Sequence, residues 1–555
     1  MKQSAKHNAR AARARARARR VWLSVCLLAV FPLSTALAEP SGSVISVTSD
    51  MAGMGMDPLL DNTGNVKVFT DEIHLNAIMQ DPDGTLIPGA AVSWEVSADL
   101  RSWIWTVREG VKFHDGSTMT AEDFAWSWKR AVLSEESENP YHASYGPLIE
   151  DIYADGNHVI VRTKEPEPLM PLWWPTYDNQ VGYVLSKAQF DREGVDGVRN
   201  KPIGAGSFKL VERNQSSRYV DLEAFEDHYC CVPKIKNLRI MEVPEMSTRL
   251  ALLRTGEADI VEAVPTAKQE IEGAGQQVYS GLAGSLSVLW YNYQNFSNNP
   301  MHDIRVREAM SIAIDRQAIL DRIYAGEGGP LPSFFSGPGT VGYVKDLPAD
   351  PYDPDRAKQL MKDAGYPDGF PVRIVTYAFD GDFPDLPTLA QAVLGYLQEI
   401  NIAGEVQVVE WDAMKDEMVS MLKDVCGNDQ IVCSEQEAQN PELAGQPPFT
   451  VMIRGDKSRY HSLRQNRQYQ STLAKSRPII QVEEVDAALK AVTVEFDLAK
   501  QTALFEDYNR LLRRGFYNAP LLYSDTVFGV SSRVDHWEPI AGRPYPNNHW
   551  TISVK

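Results

Sequence analysis

Residues 110–130 read GVKFHDGSTMTAEDFAWSWKR and contain the side-chain types that acid–base catalysis uses. His114, Asp115, Glu122 and Asp123 fall within ten positions of one another. A histidine beside carboxylates can shuttle a proton to or from a substrate, provided that the groups converge on one point. Whether these side chains converge depends on the helices and turns that carry them. The same residues also predict those elements.

The stretch has a structural interpretation that we favour over catalysis. Thr120-Ala121-Glu122-Asp123 is typical of a helix N-terminus, where a hydroxyl and an acid satisfy the first backbone amides. Phe124, Trp128 and Ala131 then follow on one helical face, and His114-Asp115-Gly116 is typical of the preceding turn. We therefore predict a turn followed by a capped helix.

The rest of the chain lacks the short motifs of common exported enzymes. There is no G-x-S-x-G elbow, H-E-x-x-H helix or P-loop, and the ten histidines, His74, His114 and His228 among them, are scattered along the chain. We expect no catalytic residue, no metal site and no cofactor. A hydrolase with two distant carboxylates stays open, because such residues need not be close in sequence.

The N-terminus has the pattern of a secretory signal peptide. Residues 1–20 hold eight basic residues and no acid, residues 21–31 are a short apolar run, and Ala36-Leu37-Ala38 is a cleavage signal. We expect cleavage near Ala38 and a periplasmic protein. Arg19-Arg20 leaves the Sec and twin-arginine routes open.

The remaining chain is strongly acidic. Of the 55 Lys and Arg, 47 follow the signal peptide and face 74 Asp and Glu, which gives a formal charge of −27. Such a surface repels phosphate backbones, so we expect no nucleic-acid partner.

Four cysteines follow the signal peptide. Cys426 and Cys433 enclose a short polar segment, and we predict a disulfide bond between them, because exported cysteines are usually oxidised. For the adjacent Cys230 and Cys231 we expect buried thiols and leave their bonding open, because an unstrained bridge needs more widely separated backbones.

Helical and strand patterns alternate along the chain, which predicts an α/β architecture. One helix is predicted from the cap Asp303 to Gly326, and another from Asp353-Pro354 to Gly365. Strands are predicted at residues 157–163, 286–292 and 404–411, and a polar surface loop at 424–449.

Five segments together resemble the family 5 extracellular solute-binding proteins of ABC importers, which carry peptides, nickel and related solutes. They are LIPGAAVSWEVSADLRSWIWTVREGVKFHDGSTMTAEDFAWSWKR (86–130), PIGAGSFKL (202–210), RLALLRTGEADIVEAVP (249–265), DIRVREAMSIAIDRQAILDRIYAGEG (303–328) and NAPLLYSDTVFGV (518–530). The resemblance extends over essentially the whole chain after the signal peptide, and the 303–328 segment is the most specific part.

The resemblance implies a two-lobed periplasmic-binding-protein fold of type II, with an extra subdomain in lobe one. Lobe one would comprise residues 39–88, 204–295 and 521–555, the extra subdomain residues 89–203, and lobe two residues 296–520. It also implies a monomer that traps a small-molecule or peptide ligand between its lobes and delivers the ligand to a membrane permease. In that scheme the 110–130 motif belongs to the scaffold.

The resemblance points to Asp456 as the partner of a peptide's amino terminus, since peptide-binding members carry an aspartate there. Lys457 and Ser458 depart from the family's pattern after this position, and Arg454 and Arg459 lie beside it. Arginine side chains bind carboxylates through two parallel hydrogen bonds, so an acidic solute such as an opine is the alternative to a peptide.

Aromatic residues are the second group of candidate ligand contacts. Trp174, Tyr177 and Trp290 could stack on a sugar or peptide face, with Asn292 close by, although such rings more often pack in a core. An oligosaccharide is therefore a further alternative. The scattered histidines disfavour nickel.

Overall fold

The computed structural model describes residues 39–51, 53–60, 66–135, 142–173, 181–291, 299–334, 336–377, 383–410, 449–457 and 482–555, with the single residues 139, 413, 463 and 466. Within this part the strands are β1 (Ser43–Thr48), β2 (Leu75–Asn76), β3 (Ile78–Gln80), β4 (Leu86–Pro88), β5 (Ala91–Val96), β6 (Ser102–Val107), β7 (Ile149–Asp155), β8 (His158–Thr163), β9 (Tyr183–Val184), β10 (Phe208–Asn214), β11 (Tyr219–Ala224), β12 (Asn237–Glu242), β13 (Ile260–Ala263), β14 (Gln277–Tyr291), β15 (Gly328–Pro330), β16 (Val372–Tyr377), β17 (Gly404–Val409), β18 (Phe449–Lys457), β19 (Asn518–Val530), β20 (Val534–His536) and β21 (Ser553–Val554).

Several helices begin at a polar residue whose side chain caps the first turn, whereas others begin without such a cap. They are α1 (Lys67–Ile73), α2 (Ala121–Val132), α3 (His142–Tyr145), α4 (Met170–Trp173), α5 (Lys187–Asn200), α6 (Met246–Thr255), α7 (Lys268–Gly273), α8 (Ile304–Ile312), α9 (Arg316–Ile323), α10 (Pro354–Asp363), α11 (Leu386–Gln398), α12 (Glu483–Val494) and α13 (Leu498–Arg514). In the described residues, no helix has both the length and the apolar composition that a membrane span requires.

The predicted caps are confirmed. Thr120 and Asp123 form a reciprocal capping box at the start of α2, and Asp303 and Asp353 cap α8 and α10. His114 lies in a turn and donates its Nε2 hydrogen to the Gly206 carbonyl at 3.0 Å. His114 and Asp123, which could have suggested catalysis, thus stabilise a turn and the start of α2.

The single helix predicted from Asp303 to Gly326 is wrong, because two helices occupy this segment. Asp315 has a non-helical backbone, and its carboxylate accepts a hydrogen bond from the Ala318 amide, so a new helix begins at Arg316. Apolar spacing alone did not reveal this second cap. The strands predicted at 157–163 and 404–411 are confirmed as β8 and β17, whereas the one at 286–292 is the end of the longer β14.

A mixed sheet forms the centre of the protein. Its strand order is β10-β11-β12-β1-β13-β19-β14-β18-β16-β17, with β15 pairing on β19. Parallel pairs lie towards both ends of the sheet, such as β1 with β12 and β16 with β17. In the middle of the sheet the successive neighbours β13, β19, β14 and β18 pair antiparallel. The described chain thus has the α/β architecture that the sequence predicts.

Two long strands connect the two ends of this sheet. β14 and β19 run antiparallel from Gln277 opposite Val530 to Trp290 opposite Asn518, and their register is irregular between Gly281 and Ser285. On one side of the irregularity β19 pairs with β13, and on the other it pairs with β15. The irregularity therefore separates two hydrogen-bonded ladders.

A second, four-stranded antiparallel sheet has the order β5-β6-β8-β7 and packs against α2. Its core contains Trp105 and Trp128, whose rings meet edge to face at 5.2 Å. All four strands lie within residues 89–203, the segment predicted as the extra subdomain. The boundaries of the predicted lobes and subdomain stay a prediction.

The apolar core follows both faces of the central sheet. In β1, Val44 packs with Phe69, Phe208 and Ile240 on one side, while Val47 packs with Leu253 and Ile271 on the other. Alternation along a strand places such residues on opposite faces, so both faces of β1 are covered.

The cysteine pair differs from the sequence expectation of buried thiols. Cys230 and Cys231 are joined by a disulfide bond, and Cys230 is exposed, because the pair lies in the connection between β11 and β12. Cys426 and Cys433, for which the sequence predicts a bond, lie outside the described residues.

Three buried histidines predict how stability depends on pH. Burial lowers the pKa of His74 to about 4, of His114 to about 3 and of His228 to about 4. In the unfolded chain a histidine titrates near 6.5, so between about pH 6.5 and pH 4 the unfolded state binds more protons. The free energy of unfolding should therefore fall as the pH falls through this window.

This expectation can be checked by urea unfolding at pH 7, 6 and 5. We expect His114→Gln to lower the slope of unfolding free energy against pH by up to about 1.4 kcal/mol per unit, the effect of one proton. His158→Gln is the matched control, because His158 is exposed. Equal slopes for wild type and His114→Gln would contradict the assignment.

Candidate functional site

A cavity of about 540 Å³ lies beside the irregular segment of β14 and β19. This volume is in the range of small-molecule and cofactor sites. Its described lining comes from the segments predicted as lobe one and from those predicted as lobe two: Ser49, Pro244, Met246, Arg249, Glu262, Ala263, Val264, Pro265, Thr266, Ser285, Asp525, Thr526, Val527, Pro544 and Tyr545, and Ile323, Tyr324, Pro384 and Asp385. We call this cavity the cleft.

The central sheet positions the first group of lining residues. Glu262 and Ala263 end β13, Ser285 follows the register irregularity of β14, and Asp525 and Thr526 lie on β19. The second group follows helix ends, since Tyr324 caps the C-terminus of α9 and Asp385 caps the N-terminus of α11. The cleft is thus formed by the irregular middle of β14 and β19, the end of β13 and the ends of two helices.

Acidic side chains dominate the charge of the described lining. Glu262, Asp385 and Asp525 face one basic residue there, Arg249. Glu262 is fixed, because its carboxylate accepts hydrogen bonds from the Ser49 amide and hydroxyl at 3.0 and 2.7 Å, and from Thr48. A fixed carboxylate can bind a cation with little further loss of side-chain entropy.

Arg249 is largely engaged by the protein itself. Its guanidinium donates to the carbonyls of Glu262, Val243 and Pro244 at 2.6 to 2.8 Å, and only 4% of the residue is exposed. These bonds direct the guanidinium towards the backbone, so it holds the start of α6 against the end of β13. A ligand carboxylate would have to compete with three carbonyls for it.

The structure brings three of the predicted site residues together, Asp456, Arg454 and Trp290, and none of them is among the described residues that line the cleft. On β18, Asp456 lies opposite Leu286 and Lys457 lies opposite the cleft residue Ser285. Asp456 is 5% exposed, and Arg454 Nη2 lies 3.5 Å from its Oδ2. The Arg454 guanidinium also lies over the Trp290 ring, 5.2 Å from the centroid.

Trp290 packs in the core, which is the more common of the two roles that the sequence leaves open, and its contact with a ligand stays a prediction. It is 2% exposed and stacks on Phe334 at 6.0 Å, so its ring packs in the core beneath Arg454. The other predicted residues lie outside the described part of the chain: Arg459, Asn292, Trp174 and Tyr177.

Sequence reasoning missed Glu262, Asp385 and Asp525. Asp385 carries a detectable signal, because an aspartate before Leu-Pro is typical of a helix start. Glu262 and Asp525 carry none, since single acids at strand positions are common. Only the pairing of β13 with β19 brings them to one cavity.

Several side-chain contacts connect segments that the sequence assigns to different lobes. Lys268 donates to Glu327 at 2.6 Å, and Ser280 donates to the same carboxylate at 2.6 Å. Burial raises the pKa of Glu327, but these two hydrogen bonds outweigh it and hold the pKa below its ordinary value. Elsewhere Trp103 stacks on Phe496 at 6.3 Å.

Together the fold and the cleft define an extracytoplasmic-type binding protein: two α/β bodies share crossing strands, and a polar cavity lies at the crossing. The model of bacterial extracellular solute-binding proteins, family 5 Middle, matches residues 85–429, which is more than half of the chain. The chain belongs to this family, and its fold is the two-lobed periplasmic-binding-protein fold.

Known proteins agree with this assignment. The dipeptide-binding protein of Escherichia coli K12 is 25% identical over 404 residues, which span 68% of this chain and 74% of that protein. The Helicobacter pylori periplasmic binding protein DppA, solved in complex with the peptide STSA, superposes with a TM-score of 0.69 at 20% identity and covers 93% of this chain and 98% of its own. HbpA2 of Haemophilus parasuis gives a TM-score of 0.76 at 18% identity and covers 93% and 100%.

The register irregularity makes a prediction about Gly284. A Cβ at this position would lie 2.2 Å from the Thr526 methyl carbon, closer than atoms can approach. We expect Gly284→Ala to lower the free energy of unfolding by about 1–3 kcal/mol, the usual cost of overpacking. Thr526→Ser removes that methyl group, so the double variant should regain most of the loss.

Urea unfolding of the two single variants and the double variant measures this coupling. Gly395→Ala is the matched control, because a Cβ there meets no atom within 4 Å in the middle of α11. If Thr526→Ser leaves the Gly284→Ala defect unchanged, the close approach of the two strands is not the cause.

Proposed function

We propose that the protein is the periplasmic solute-binding component of an ABC importer and that it captures peptides or peptide-like solutes. The observation that carries this proposal is the cleft, whose described charged groups are three carboxylates and an arginine engaged by backbone carbonyls. The family supports the transport role. Residues 1–38 act as the cleaved export signal in this proposal.

The charge of the cleft favours a ligand that carries a protonated amine. Glu262, Asp385 and Asp525 lie on its walls, and Asp456 lies one strand position beyond it. A charge-assisted hydrogen bond from an ammonium group to a carboxylate is about twice as strong as a neutral one. Arg454 already pairs with Asp456, which disfavours an acidic solute such as an opine at this place.

Capture follows from a shift between open and closed populations. A ligand that touches lining residues on both sides of the cleft gains contacts only when the cleft is closed, and these extra contacts are all that can favour closure. The strands β14 and β19 provide the connection around which the two sides move. Lys268, Glu327 and the Trp103–Phe496 pair would then stabilise the closed form.

The partner in this proposal is the membrane permease, which recognises the closed monomer and receives the solute. Binding and delivery require no bond to be made or broken, so we expect no hydrolysis of a bound peptide. A peptide incubated with the protein should be recovered intact by mass spectrometry. Release of fragments would instead favour the alternative of an exported hydrolase.

Native mass spectrometry of the purified protein tests the class of solute directly. We expect a set of bound masses that differ by amino-acid residue masses, because a cleft that recognises the peptide amine tolerates many side chains. A single bound mass matching a sugar or an opine would contradict a peptide solute while leaving the transport role intact.

A combination of peptide acetylation and residue substitution tests which residue binds the amino terminus of the peptide. We expect N-terminal acetylation of a bound peptide to weaken its affinity at least tenfold, since removal of one charge-assisted bond costs about 1.5–3 kcal/mol. In Asp456→Asn the free and acetylated peptides should bind alike. Isothermal titration calorimetry measures the four affinities.

The control is Asp346→Asn, because Asp346 pairs with Arg510 at the exposed surface and should leave the acetylation effect unchanged. If Asp456→Asn retains the full effect, Asp456 is not the amine partner, and the same experiment on Asp385→Asn and Glu262→Gln identifies the residue that is. Equal affinities of the two peptides for wild type would contradict amine recognition altogether.

A further inference from the structure

The connection between β11 and β12 brings a histidine and two cysteines to one point. His228, Cys230 and Cys231 place their possible ligand atoms within 4.8 Å of one another. None of the three is among the described residues that line the cleft. This cluster therefore has no part in the solute capture proposed above.

The histidine of this cluster is held rigidly. His228 is 7% exposed, and its Nδ1 accepts a hydrogen bond from the Cys231 amide at 2.9 Å. Its ring also packs against Tyr229, 4.7 Å between centroids, and Tyr229 lies under the Arg108 guanidinium. The imidazole is thus positioned by the fold. A metal ion bound at Nδ1 would replace the Cys231 amide hydrogen there, because this ring nitrogen has one lone pair.

The sulfur atoms are accessible by contrast. Cys230 is exposed and Cys231 is half-buried, so solvent and small thiols can reach the disulfide bond. The exposed Glu226 and Asp227 precede the cluster in the same connection and add negative charge beside it. An accessible disulfide is the kind that exchanges with external thiols.

One spacing within the cluster, from the Cys230 sulfur to the His228 nitrogen, is close to that of a tetrahedral metal site, and reduction must separate the two bonded sulfurs before both can bind an ion. Cys230 Sγ lies 3.8 Å from His228 Nδ1. Zinc–sulfur and zinc–nitrogen bonds of ordinary length, at a tetrahedral angle, place sulfur and nitrogen about 3.6 Å apart. Two thiolates and one imidazole are also the ligands that zinc and other thiophilic ions prefer.

We propose that the dithiol form of this connection binds one thiophilic metal ion, with Zn²⁺ as the representative, through His228, Cys230 and Cys231. The fourth position faces solvent, because Cys230 is exposed. The disulfide form holds no ion, since both sulfurs are then bonded to each other. The metal site is consequently present only after reduction.

A small thiol can reduce the disulfide bond between Cys230 and Cys231 in two exchange steps. Its thiolate attacks one sulfur of the disulfide bond and forms a mixed disulfide, and a second thiol displaces the protein sulfur. Two electrons and two protons reach Cys230 and Cys231, and the reductant leaves as its own disulfide. Metal binding then releases the two thiol protons to solvent as the thiolates ligate the ion.

The test uses the full chain with Cys26, Cys426 and Cys433 replaced by serine, so that the pair supplies the only thiols. Thiols are counted before and after reduction under native conditions, and Zn²⁺ is titrated against a chromophoric chelator. We expect one Zn²⁺ per chain after reduction and none before. Co²⁺ in place of zinc should show thiolate-to-metal charge-transfer absorption only in the reduced protein.

Variants separate this site from binding elsewhere. We expect Cys230→Ser/Cys231→Ser to abolish stoichiometric binding, and His228→Asn to weaken it at least tenfold, while the exposed His158→Asn binds as the parent does. The single variants Cys230→Ser and Cys231→Ser keep the histidine and should each lose about half of the Co²⁺ charge-transfer intensity. They therefore test the site even if His228→Asn unfolds.

Three outcomes would overturn the proposal. The first is a reduced protein that binds no zinc, and the second is full binding by the double serine variant. The third is a pair that can be reduced only when the protein loses its circular-dichroism signal. None of these results would bear on solute capture, because the cluster and the cleft share no described residue.

Discussion

The antiparallel pairing of β14 with β19 is the constraint on which the rest of the structure depends. The two strands are neighbours in the middle of the central sheet, and their register is irregular between Gly281 and Ser285, opposite Ser524 to Thr526. The irregularity interrupts the ladder of backbone hydrogen bonds between β14 and β19, so that a regular ladder continues only on either side of it. Because Ser285 and Thr526 also line the cleft, the irregular part of the strand pairing and the cavity coincide.

Three buried arginines, one of them in the wall of the cleft, are bound mainly to backbone carbonyls. Arg249 donates to three carbonyls, and Arg307 donates to the carbonyls of Met301, His302, Gly515 and Phe516. Arg316 does the same with Pro520 and Ser311 and lies 3.6 Å from Asp350. These guanidinium groups join distant segments of backbone.

The sequence predicts those features that depend on neighbouring residues. The caps Thr120, Asp303 and Asp353 are local, since a side chain bonds an amide two or three positions away, and the structure confirms them. The cap at Asp315 is also local, but regular apolar spacing on both sides concealed it. The family resemblance, confirmed by the family model, supplied the fold that spacing alone could not.

The cleft could not be predicted in the same way, because its residues come from segments more than a hundred positions apart. Glu262 and Asp385 have no common sequence signal, and Trp290, a candidate for ligand stacking, is instead enclosed in the core. Asp456 and Arg454 were predicted as neighbours of a ligand and lie together beside the cleft, and their contact with a solute stays a prediction.

The strand order has a consequence for how the chain acquires its structure. β1 begins at residue 43, pairs with β13, and β13 in turn pairs with β19 near residue 530. Arg533 then bonds both Asp259 and the carbonyl of Ser43. Contacts between such distant positions form slowly, because the intervening chain must first be brought together. The central sheet therefore cannot be completed until almost the entire polypeptide has been synthesised.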